Sequence, residues 1–114
     1  MTYPDIARKP RPSGRGGSQE LVELTTLEAF QAEGAQLRHA LGHFFNFFQN
    51  EGIQVYSLRE DGQSVLTLSA VPDSPVRHVV GLANRQPTPK ELAVLETLLQ
   101  PLGKALAYDP RTPY

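Results

Sequence analysis

Ile53-Gln54-Val55-Tyr56-Ser57-Leu58-Arg59-Glu60-Asp61-Gly62-Gln63-Ser64-Val65-Leu66-Thr67-Leu68-Ser69-Ala70-Val71 is the stretch that decides the fold. Aspartate followed by glycine suits a two-residue hairpin turn, in which both central residues need positive φ. The flanking runs are rich in Val, Leu, Ile, Tyr and Thr, the residue types that fit a pleated surface. The spacing predicts one strand from Ile53 to Glu60 and a second from Gln63 to Val71. With Asp61-Gly62 as the whole turn, Leu58 faces Val65, Tyr56 faces Thr67 and Val55 faces Leu68.

Upstream, the hydrophobic period changes from two to between three and four. Leu27, Phe30, Leu37, Leu41, Phe44, Phe45 and Phe48 follow a Thr25-x-x-Glu28 capping pattern, which predicts a helix from about residue 26 to about residue 50. Gly34 sits inside it and marks a break into a short and a long segment, since glycine costs about 1 kcal/mol relative to alanine in a helix. Asn50 and Gly52 supply the stop. Downstream, Pro72-Asp73-Ser74-Pro75 interrupts the chain, and Val76 to Leu82 reads as a third strand. Thr88-Pro89-Lys90-Glu91 is a second capping box, with proline at the first helical position. It opens the run Leu92, Leu95, Leu98, Leu99, Leu102 and Leu106. The expected fold is a two-layer α+β domain: a three-stranded antiparallel sheet packed on one face by two helices, in the order α-β-β-β-α.

At 114 residues and 39% hydrophobic content, the chain can bury one core. The expected organisation is a flexible basic arm over residues 1–18, a single domain over 19–107 and a frayed tail over 108–114. The arm combines Pro4, Pro10 and Pro12 with Gly14, Gly16 and Gly17 and offers little apolar surface to bury. Charge is divided unevenly: Arg8, Lys9, Arg11 and Arg15 against Asp5 give the arm a net +3, and the remainder carries a net −4. The chain has no cysteine, which excludes disulfides and thiolate metal sites. No apolar run approaches the roughly 20 residues that cross a bilayer, so a cytoplasmic protein without membrane contact is expected.

Several of these signatures, read in order, carry a family resemblance. Glu33-Gly34, Leu37, His39, Gly42, Ser57-Leu58-Arg59, Asp61-Gly62, Thr67 and Ala83-Asn84-Arg85 resemble the conserved region of PcfJ-like proteins from conjugative plasmids and phages. The match covers about residues 25–100. The resemblance implies a phage or mobile-element setting and does not imply a reaction. Ala40 stands where the family pattern has cysteine, Phe44 and Phe45 occupy aromatic positions without a hydroxyl, and Ser69 stands where the family has an acid. His39, Arg59 and Asn84 are the polar positions that still match.

Two functional classes follow. The first is a non-enzymatic accessory protein whose partner is a host protein complex, including defence machinery. Phe44, Phe45, Phe47 and Phe48 cover more than one helical face. With Leu41, Phe44, Phe45 and Phe48 as the core stripe, Phe47 is left as the contact residue. Nucleic acid, held by Arg8, Lys9, Arg11 and Arg15, and a second copy of the chain are the alternative partners. The second class is a small hydrolase or nucleotide-handling enzyme with His39 as general base, Arg59 as anion clamp and Asn84 beside them. His39 and His43 have the four-residue spacing that places two imidazoles on one helical face. Ala40 removes the glutamate of a His-Glu-x-x-His metalloprotease, and no third ligand is fixed by spacing. No metal and no cofactor are therefore expected.

Overall fold

A computed structural model describes residues 18–111. The expected arm, with Arg8, Lys9, Arg11 and Arg15, lies outside the described residues. The elements run β1 (Gln19–Glu23), α1 (Leu27–Leu37), a 3-10 turn (Leu41–Phe44), α2 (Phe45–Glu51), β2 (Gln54–Glu60), β3 (Gln63–Ala70), β4 (His78–Val80), a tight turn (Leu82–Asn84), α3 (Pro89–Leu99) and a closing 3-10 turn (Gln100–Leu102). The chain is thus α+β, with a four-stranded antiparallel sheet in the order β1-β2-β3-β4 and three α-helices.

The fourth strand corrects the expected three. β1 pairs with β2 so that Leu21 faces Leu58 and Val22 faces Ser57. Its first residues are pinned to the hairpin, where Asp61 N–H donates to the Ser18 carbonyl at 2.9 Å. With Glu20 and Glu23 in an edge strand of five residues, only Leu21 and Val22 could signal it.

Asp61 (φ 53°) and Gly62 (φ 83°) form the expected two-residue turn. Glu60 faces Gln63 and Arg59 faces Ser64, but beyond them Leu58 faces Leu66 and Tyr56 faces Leu68. The expected pairings of Leu58 with Val65, Tyr56 with Thr67 and Val55 with Leu68 are therefore off by one, because a bulge leaves Val65 unpaired. The physical reason is burial. A bulge-free register would put Tyr56 and Thr67 on one face, mixing apolar and polar sets. The bulge instead unites Tyr56 and Leu58 with Leu66 and Leu68, and places Ser57 opposite Thr67.

The sheet is covered on both faces, which corrects the two-layer expectation. On one side Tyr56, Leu58, Leu66, Leu68 and Val79 pack with Leu95 and Leu99 of α3. On the other, Val55 packs with Phe30 of α1, Leu41, and Phe48 of α2. The long helix expected up to about residue 50 is broken, though at Arg38 rather than at Gly34, since Arg38 adopts left-handed φ of 55°. The cap of α1 is Thr26, whose Oγ1 accepts from Ala29 N–H at 3.1 Å, and not Thr25. The capping box of α3 is formed as expected by Thr88 and Glu91. That helix ends at Leu99, before Pro101, and Leu106 instead forms a parallel bridge with Val76. Ala107 N–H donates to the Val76 carbonyl at 2.8 Å and Asp109 N–H to the Arg77 carbonyl at 2.9 Å. The expected frayed tail, residues 108–114, thus begins inside this zipper, where Tyr108 also packs on the α3-side core. No helix among the described residues is long and apolar enough to cross a membrane.

Candidate functional site

The break after α1 builds the site. Arg38 N–H and His39 N–H both return to the Gly34 carbonyl, so the chain crosses directly over Gly34. A Cβ at Gly34 would stand 2.9 Å from the His39 carbonyl oxygen and 3.3 Å from the Gly42 nitrogen. Only glycine lets the crossing come this close. The crossing carries His39 to the sheet, where its Nε2 lies 2.9 Å from Thr67 Oγ1.

Thr67 is the middle of a buried chain of hydroxyls. Its Oγ1 donates to Glu33 Oε2 at 2.6 Å, and Ser64 Oγ donates to Glu33 Oε1 at 2.7 Å. Glu33 is 2% exposed, so those two hydroxyls replace its lost hydration. Because the one Thr67 proton goes to Glu33, the His39–Thr67 bond requires the proton on Nε2. His39 Nδ1 is then the acceptor for Leu41 N–H at 3.4 Å. Burial holds the His39 imidazole below the ordinary histidine range, opposed by the negative charge of Glu33.

Beside this chain, Ser69 Oγ lies 3.4 Å from His78 Nδ1. Burial, and secondarily the neighbouring His39, lower the His78 pKa as well. Thr67 and Ser69 stand two apart on β3 and so share a face, opposite the face that Leu66 and Leu68 give to the α3-side core. Above them is a cavity of about 520 Å3. Its polar lining is His39, Thr67, Ser69, His78 and Asn84. Its apolar lining is Ala40, Leu41, Phe44, Phe47, Phe48 and Val80. A smaller crevice of about 270 Å3 lies on the other side of His39, bordered by Gly42 and His43.

Asn84 reaches the larger cavity from an unusual turn, in which Ala83 (φ 54°) and Asn84 (φ 64°) are consecutive left-handed residues. Asparagine tolerates this conformation, while alanine there costs roughly 1–2 kcal/mol. The turn is closed by Gly81 N–H donating to the Arg85 carbonyl at 2.8 Å. It is braced by a fork from Arg85 to Glu91, with N···O distances of 2.9 and 2.8 Å.

The sequence-derived candidates divide accordingly. His39 and Asn84 meet in the large cavity, but Arg59 does not line it. Arg59 Nε instead donates at 3.3 Å to Ser57 Oγ, which itself donates to Ser64 Oγ at 3.3 Å and so ends the hydroxyl chain. His39 and His43 do not share a helical face, because His39 lies in the link after α1 and His43 in the 3-10 turn that follows. Among the described residues no group of three or more His, Cys, Asp and Glu side chains could hold a metal ion. Phe47 is 39% exposed and borders the cavity. Phe44, expected in the core stripe, is 49% exposed at the same rim, because the 3-10 turn rotates it away from the faces of Leu41 and Phe48. The sequence reading did not single out Glu33 and Thr67 as a buried pair. The available signal was the alternation of Thr67 and Ser69 with Leu66, Leu68 and Ala70.

The chain matches no protein-family model, no curated protein and no solved structure.

Proposed function

We propose that the domain is a non-enzymatic binding protein whose partner is another protein, contacted through the surface around Phe44 and Phe47. The observation that carries this reading is the pair of exposed phenylalanines that line a largely apolar cavity. Exposed aromatic residues at a concave site are the usual anchors of protein recognition. The enzymatic alternative finds less support. His39, its general base, has both ring nitrogens engaged, by Thr67 and by Leu41 N–H, and its anion clamp Arg59 lies outside the cavity. A phage or mobile-element setting belongs to the same proposal and rests on the motif resemblance alone. A cytoplasmic location is proposed with it, from the lack of a long apolar run in the sequence.

The test is site-specific photocrosslinking, with a photoreactive phenylalanine analogue at Phe47 and, as control, at Leu102, which is also exposed. In lysate of the source cells treated with nuclease, position 47 should yield a discrete protein adduct and position 102 should not. Equal labelling at both positions, or adducts that vanish with nuclease, would remove the protein-partner reading.

A further inference from the structure

The cavity lining, from half-buried His78 to exposed Asn84 at the rim, holds more hydrogen-bonding capacity than the surrounding protein uses. Thr67 and His39 are occupied by each other, by Glu33 and by Leu41 N–H. His78 Nδ1 has only the long 3.4 Å contact to Ser69. No described residue bonds to His78 Nε2 or to the side-chain amide of Asn84. These groups converge on one space, and its volume of about 520 Å3 falls within the ~300–1,000 Å3 typical of small-molecule sites.

Charge narrows the occupant. Among the described residues, no Lys, Arg, Asp or Glu side chain lines the cavity. Burial keeps both imidazoles below the ordinary histidine range, so they are neutral at physiological pH. Glu33 stands behind Thr67 at 2% exposure, with both oxygens bonded to hydroxyls. A charged ligand head would therefore enter without a counter-ion and would lose its hydration uncompensated. An uncharged head with donor and acceptor capacity matches serine, imidazole and carboxamide directly. The closed turn and the Arg85–Glu91 fork fix the backbone from which Asn84 reaches the cavity rim.

The geometry points to a binding site for a small uncharged amphipathic molecule, with an aromatic or branched aliphatic body against Phe44, Phe47 and Val80 and one neutral hydrogen-bonding head at Ser69, His78 and Asn84. The site shares Phe44 and Phe47 with the proposed protein-contact surface but does not rest on that reading, since the cavity lies within one chain and ligand binding is measured on the purified protein alone.

The test uses four probes that share a naphthalene body and differ only at the substituent: 1-naphthalenemethanol, 1-naphthoate, 1-naphthylmethylammonium and 1-methylnaphthalene. They are titrated into the 15N-labelled full chain and followed by amide chemical shifts. The alcohol should saturate, with the largest shifts at Leu41, Val80 and Asn84. The two charged probes should bind roughly tenfold weaker or more, a difference of about 1.4 kcal/mol, and the methyl probe should also fall below the alcohol. Ala40→Trp, at the exposed cavity mouth, should abolish binding by filling the space. Asn84→Asp keeps a residue tolerant of left-handed φ and should weaken the alcohol while favouring the ammonium probe. Equal binding of all four probes, preference for the carboxylate, persistence of binding in Ala40→Trp, or no saturable binding at millimolar concentration would each overturn the inference.

Discussion

The two faces of the sheet are built from the same strands and do opposite things. Toward α3, Leu66, Leu68, Leu95 and Leu99 are fully buried and meet carbon with carbon. Toward α1 and α2, the alternate positions Ser57, Thr67 and Ser69 are equally buried but polar. They support a carboxylate, two imidazoles and a cavity. An apolar face gains stability in proportion to the area it hides. A polar face only offsets the cost of desolvating its groups. The α3 face is therefore apolar throughout, whereas the other face shares its own apolar cluster of Phe30, Leu41, Phe48 and Val55 with a cavity and a hydroxyl chain that stability alone would not select.

The sharpest way to break that contrast is to remove packing from the α3 face. Leu95 is 0% exposed in the middle of its cluster, so Leu95→Ala should destabilise by about 2–5 kcal/mol through lost burial and the void left behind. Urea unfolding followed by circular dichroism measures this. A loss near zero would mean that α3 is an accessory and that the stability resides on the cavity side.

The next largest effect concerns the polar face. Glu33 accepts from both Ser64 and Thr67, and Glu33→Gln replaces one of those acceptors with a donor. One hydroxyl must then rotate away or remain unbonded in a buried place, at a cost of about 1–3 kcal/mol. Negative charge at Glu33 raises the His39 pKa against the larger effect of burial. The variant should therefore lower that pKa further, as read by NMR titration of the imidazole. An unchanged stability together with an unchanged His39 titration would show that the chain of hydroxyls does not couple the two groups.

The same division governed what could be read from sequence. The hairpin turn was legible because Asp61-Gly62 satisfies a local backbone requirement, and α3 was legible because its capping box and leucine period agree. The register was not, because the turn and the burial pattern favour pairings that differ by one residue, and the bulge at Val65 that reconciles them is a tertiary outcome. β1 was missed because an edge strand with two apolar residues has almost no pattern of its own. The break at Arg38 was misplaced to Gly34 because the glycine serves close approach rather than chain reversal. At the site, His39 and Asn84 were singled out from their motifs and do meet. Glu33 as the buried partner of Thr67 could be found only once the crossing over Gly34 had placed α1 against β3.

The smallest expected effect is the dependence of stability on pH. His39 and His78 both have folded-state pKa values below the unfolded value of about 6.5, mainly through burial. In the window between the folded values and about 6.5, the unfolded chain binds more protons than the folded one, so stability must rise with pH there and level off above about 7. Read in the other direction, stability is lost as pH falls through 6.5. The slope can reach no more than about 1.4 kcal/mol per pH unit for each histidine, and solvent screening of these partly exposed rings reduces it further. Carboxylates held by arginine, Glu91 by Arg85 and Asp109 by Arg111, have lowered values and contribute their own losses only in more acidic solution. Urea midpoints measured from pH 8 to pH 5 should therefore decline first in the histidine window, and His39→Asn with His78→Asn should flatten that part of the curve. A wild-type midpoint that stays constant down to pH 5 would mean that the imidazoles take up protons freely in the folded state. In that case the cavity floor would be charged, and the contrast between a packed face and a neutral receptive one would fail.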